Sequence, residues 1–100
     1  MKTDLSRLDF FPSPFFFVGK VEFSSGVQAE LTEEEIVSAL RRHTNRDFGF
    51  VSWEHFKGNL ELIAEHRGII TSIYKNTAGN RFRIVTHLDD FEPTTRIFME

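Results

Sequence analysis

The sequence predicts an α+β domain with two helices packed on one face of a small, mainly antiparallel sheet, in the order β-α-α-β-β-β. Three observations predict it. Two segments open with helix-capping chemistry and continue with apolar residues at helical spacing. The last third holds three short runs rich in β-branched and aromatic residues, the first two joined by a glycine-containing connection of hairpin length. One further strand pattern precedes the helices and is expected at a sheet edge.

The first strand is expected within Phe15–Phe23, where Val21 and Phe23 alternate with Lys20 and Glu22. Ser24-Ser25-Gly26 ends it with turn chemistry. Thr32-Glu33-Glu34-Glu35 then forms a capping box, with Leu31 and Ile36 at the hydrophobic staple positions. Ile36, Val37, Ala39 and Leu40 supply the buried stripe, and Arg41, Arg42 and His43 fall at the cation-favouring end. The three glutamates are accounted for by the helix dipole and do not call for a metal.

Ser52 is the expected N-cap of the second helix, with Val51 and Phe56 as its staple. Trp53, Phe56, Leu60 and Ile63 share one helical face, and Gly68 is placed to close the helix. Gly58, inside it, suggests a close packing neighbour. Strands follow at 69–76 and 81–88, flanking Thr77-Ala78-Gly79-Asn80, and at 94–99. Phe82, Ile84 and Leu88 fall on one face of the second of these, and Arg81, Arg83, Val85 and His87 on the other.

The chain divides into a Phe/Pro-rich arm, residues 1–14, and one domain, residues 15–100. Asp4, Asp9 and Pro-Ser-Pro interrupt the apolar N-terminal stretch, so a signal peptide and a membrane span are not expected, and a cytoplasmic location is. The arm and its continuation hold Phe10, Phe11, Phe15, Phe16 and Phe17. Either these rings fold back on the core, or Phe10, Phe11, Phe15 and Phe16 dock on a partner, a second copy or a target protein.

The chemistry-bearing residues are sparse. With no cysteine there is neither a thiolate nucleophile nor a disulfide framework. No His or carboxylate spacing matches a metal motif, and no glycine-rich loop suggests a cofactor. His43 and Asp47 stand four residues apart, but no nucleophile or second acid accompanies them, so no catalytic residue is assigned. A ligand site between the first helix and the sheet would use Arg42, His43, Asp47, Tyr74, Arg81 and Arg83. A basic sheet face with Arg81, Arg83, His87, Lys75, Tyr74 and Arg96 could take single-stranded nucleic acid. The net charge of −3 and the single Tyr argue against that partner.

Leu40–Asn59, followed by Tyr74, Ile84-Val85-Thr86, Asp89 or Asp90 and Thr94-Thr95-Arg96-Ile97, resembles a family of small plasmid- and phage-borne accessory proteins. That family carries an Arg-His, a Gly-Asp-Trp-Gly-like turn, an Asn in the next helix, and Ser-x-Tyr, Ile-Thr and Thr-Thr strands. Gly19-Lys20-Val21 and Ser25-Gly26-Val27 resemble its opening, so the likeness runs over roughly residues 17–98. Here Asn45-Arg46 precedes Asp47, and Phe48 stands in the Trp position. The resemblance implies a mobile-element context and no particular reaction. It makes a host or defence-system protein, such as a restriction or CRISPR component, the expected partner, with a homodimer as an alternative.

Overall fold

The computed structural model describes residues 15–89 and 91–100, so the arm with Phe10 and Phe11, and Asp90, lie outside the described residues. The order is β1 (Lys20–Phe23), α1 (Val27–Glu30), α2 (Glu33–Thr44), α3 (Trp53–Glu65), β2 (Ile69–Lys75), β3 (Arg81–His87) and β4 (Thr94–Met99). The strands form one sheet in the order β1-β4-β3-β2. β2, β3 and β4 are the expected antiparallel meander, and β1 sits at the edge, parallel to β4. A parallel neighbour requires a long crossover, which the helices provide.

Both helix starts form as their sequences dictate. The Thr32 hydroxyl accepts from the Glu35 backbone N–H, and the Glu35 carboxylate accepts from that of Thr32. The other Glu35 oxygen accepts from the Thr77 N–H, tying α2 to the β2–β3 hairpin. These backbone donors at Thr32 and Thr77 lower the Glu35 pKa. Ser52 caps α3 by accepting from the His55 N–H.

Four details depart from the expectation. β1 is shorter, because Phe15–Gly19 approaches the sheet without joining a strand. The Ser24-Ser25-Gly26 turn leads into the extra helical turn α1, whose Val27 is fully buried. His66, at φ 52°, takes the left-handed position that ends α3, two residues before Gly68. A Cβ on Gly58 would meet nothing within 4 Å, so no neighbour requires this glycine. Gly58→Ala should therefore stabilise the fold by about 0.5–1 kcal/mol, raising the denaturant midpoint with an unchanged slope.

The core lies between helices and sheet in two parts. Val27, Leu31, Ile36, Leu40, Tyr74, Phe82, Ile84 and Ile97 form one; Phe16, Phe48, Ile63, Ile70 and Leu88 form the other. Along the inner face of β2, Ser72 stands between Ile70 and Tyr74; along β3, Thr86 stands between Ile84 and Leu88. Buried polar side chains thus separate the two apolar clusters.

Candidate functional site

The six residues expected to line one ligand pocket occupy three different environments. His43 is fully buried. Its Nδ1 lies 2.5 Å from the Ser72 hydroxyl and its Nε2 lies 2.9 Å from the Thr86 hydroxyl. Thr86 Oγ1 is 2.7 Å from Thr95 Oγ1, which donates to the Val18 carbonyl at 2.7 Å. A carbonyl can only accept, so the Thr95 proton is committed to Val18 and Thr86 must donate to Thr95. Thr86 then accepts from His43 Nε2–H, leaving Nδ1 to accept from Ser72. The chain of bonds runs in one direction across three strands and requires a neutral imidazole. Burial without a counter-charge pulls the His43 pKa down to about 3.

Arg42 and Asp47, in contrast, form a clamp. Arg42 Nε donates to Asp47 Oδ2 at 2.8 Å and Nη2 to Oδ1 at 3.3 Å, with the guanidinium 4.6 Å above the Tyr74 ring. The Tyr74 hydroxyl donates to the Asp47 carbonyl at 2.6 Å. The Arg42 hydrogen bonds lower the Asp47 pKa and raise that of Arg42, while burial raises that of Tyr74. The clamp shapes the chain at 45–50, which lies along the outer edge of β2. There the Ile73 N–H donates to the Phe48 carbonyl and the Phe50 N–H to that of Ile73. Asp47 therefore engages Arg42 and the turn, not His43, and the four-residue spacing builds no catalytic pair.

Arg81 and Arg83 point to the opposite, helix-free face of the sheet, because Tyr74 pairs with Phe82 and both point inward. One pocket cannot hold Arg42, His43, Asp47, Tyr74, Arg81 and Arg83 together. By the same parity Tyr74 is absent from the basic sheet face. The arm reading is divided too. Phe16 is 2% exposed and meets His43 edge-on at 5.0 Å, so it belongs to the core. Phe15 remains 42% exposed beneath the Arg46 guanidinium, 3.6 Å from its ring centre.

The open face carries Lys20, Lys75, Arg81, Arg83 and Arg96 against Glu22 and Glu100, a positive surplus in a chain of net charge −3. Arg83 pairs with Glu100 at 2.6 Å and Arg96 with Glu22 at 3.5 Å. A groove of about 390 Å³ runs there beside Glu22, Val85, His87, Arg96 and Phe98.

At the β2 edge of this face, sequence reasoning missed an exposed aromatic ring flanked by cations. Phe50, 53% exposed, has Lys75 Nζ 5.0 Å and Arg81 Cζ 5.6 Å from its ring centre. Trp53, expected on the buried helical stripe, is 64% exposed. It begins α3 and stacks on Phe56 with Lys57 5.6 Å from its ring. No sequence signal separates Trp53 from Phe56, since both fit the stripe; only the position of the helix end does.

Among the described residues no helix is long and apolar enough to cross a membrane, and no three His, Asp or Glu residues gather as a metal site would need. No family model, curated protein or solved structure matches the chain.

Proposed function

We propose that this protein is a non-enzymatic binding module whose partner is another protein. The observation that carries the reading is a pair of large rings three residues apart, Phe50 and Trp53, left in solvent with Lys75 and Arg81 beside the first and Lys57 beside the second. Aromatic side chains, together with Arg, are enriched at protein interfaces, and large rings bury much area with few rotatable bonds. Both rings are also held in place: Phe48 and Phe50 are bonded to the β2 edge, and Trp53 rests on Phe56, which meets Phe48 edge-on. A preformed surface avoids much of the ordering cost of binding. On the sequence resemblance, the reading extends to a phage- or plasmid-encoded accessory protein that inhibits a restriction or CRISPR component.

The test uses purified restriction and CRISPR complexes with the full chain and its Phe50→Ala/Trp53→Ala variant. The wild type should bind one of them, and the variant should bind at least about tenfold more weakly while its melting temperature changes little. Binding unaffected by the double substitution, or no binding to any protein target, defeats the proposal.

A further inference from the structure

Resting on the protein-binding reading, we infer that the segment received at the Phe50 ring is acidic and carries a large apolar anchor. The argument is the distribution of charge compensation over the open face. Along β4, Arg96 is answered by Glu22, and on β3 Arg83 is answered by Glu100. Lys75 and Arg81 are register partners across β2 and β3, and both approach the Phe50 ring. Among the described residues neither has a carboxylate within ion-pair distance. Glu22 also lies 3.7 Å from Lys20, so every other Lys or Arg of the face has a carboxylate beside it, and the two that have none among the described residues stand at the exposed ring.

Two adjacent cations repel each other, and a carboxylate brought between them relieves that repulsion while the aromatic surfaces bury an apolar side chain. The apolar content of the surface around Phe50 suits a protein segment. Ile73 lies in the next cross-strand row with Arg83 and Phe98. A nucleic-acid strand fits less well. One face of the Trp53 indole is already occupied by Phe56, which leaves less ring surface for a stacked base.

A display library of random dodecapeptides selected against the immobilised full-length protein tests this directly. Enriched peptides should be net acidic with at least one Phe, Trp or Leu. Fluorescence anisotropy with the synthesised peptides should show binding weakened at least about tenfold by Lys75→Glu/Arg81→Glu and by Phe50→Ala, and weakened several-fold on raising salt from about 50 to about 200 mM. Lys75→Gln/Arg81→Gln serves as the milder pair if the reversal disturbs folding, and Lys20→Glu, at the far edge, should leave affinity unchanged. Neutral or basic enriched peptides, indifference to both Lys75/Arg81 pairs, or displacement by oligo-dT in preference to the acidic peptides would overturn the inference. Neutral peptides that still require Phe50 and Trp53 would leave the protein-binding reading standing while removing the acidic segment. Failure to enrich any peptide would count against both.

Discussion

Replacing His43 with alanine should destabilise the protein by about 3–5 kcal/mol at neutral pH and remove much of the pH dependence of stability expected between pH 7 and 5. Two losses add up. The imidazole fills a site against Phe16, and its removal leaves a cavity and a buried Ser72 hydroxyl without its acceptor. The pH effect follows from linkage. The folded His43 pKa, about 3, lies below its ordinary 6.5, so between these values the unfolded chain binds a proton that the folded chain refuses. Stability is full above pH 6.5 and falls as the pH drops, by about 1.4 kcal/mol per unit, or about 2 kcal/mol by pH 5. Glu35 and Asp47, whose pKa values are lowered, act in the same direction, but only as the pH enters the ordinary carboxylate range below this window. Urea titrations of wild type and His43→Ala at pH 7, 6 and 5 provide the check. An equal slope in the two proteins would show that His43 is not the proton-excluding group.

Gly49→Ala should cost about 3 kcal/mol or more and dislodge the Phe50 ring as well. Gly49 has φ 71°, and a Cβ there would lie 2.0 Å from the Ile73 carbonyl oxygen and 2.7 Å from the Tyr74 ring. Neither neighbour is the free end of a flexible chain: the carbonyl accepts from the Phe50 N–H, and Tyr74 is held by Asp47 and Arg42. The segment 48–50 must therefore lift from β2. Amide exchange at Phe50 and Ile73 should accelerate far more than at Ile84 in the sheet centre, and partner binding should weaken with it. A variant within about 0.5 kcal/mol of wild type, with both amides still protected, would mean that the close approach is not required.

The residues that carry the sequence resemblance acquire a physical meaning in this fold. Arg42, Asp47 and Tyr74 make the clamp; His43, Ser72, Thr86 and Thr95 make the buried chain; Asn59 donates to the Thr71 carbonyl at 2.9 Å and joins α3 to β2. Much of the polar motif is internal scaffolding. That explains why spacing suggested a site: polar residues at characteristic intervals look alike whether they meet a ligand or one another. The surface proposed for binding draws on Phe50, Trp53, Lys75 and Arg81; the basic-face reading held Lys75 and Arg81 and the ligand reading Arg81, while Phe50 and Trp53 stood in no site reading.

Local chemistry was enough for α2, α3 and the strands of the meander, though it did not foresee α1. A Thr-x-x-Glu capping box, a Ser N-cap, alternating strands and a glycine-bearing hairpin act over a few residues, and each formed where its residues stand. The class and the edge position of the first strand followed from their order. Only the tertiary structure decided which polar residues are inside. The sequence places His43 at the end of a helix, where a charged imidazole is welcome; burial against Phe16, β2 and β3 makes it neutral. It likewise decided that Tyr74 faces inward while Arg81 and Arg83 face outward, because side chains alternate along a strand and register pairs Tyr74 with Phe82. Burial and charge depend on neighbours distant in the chain, and periodicity within one element carries no information about them.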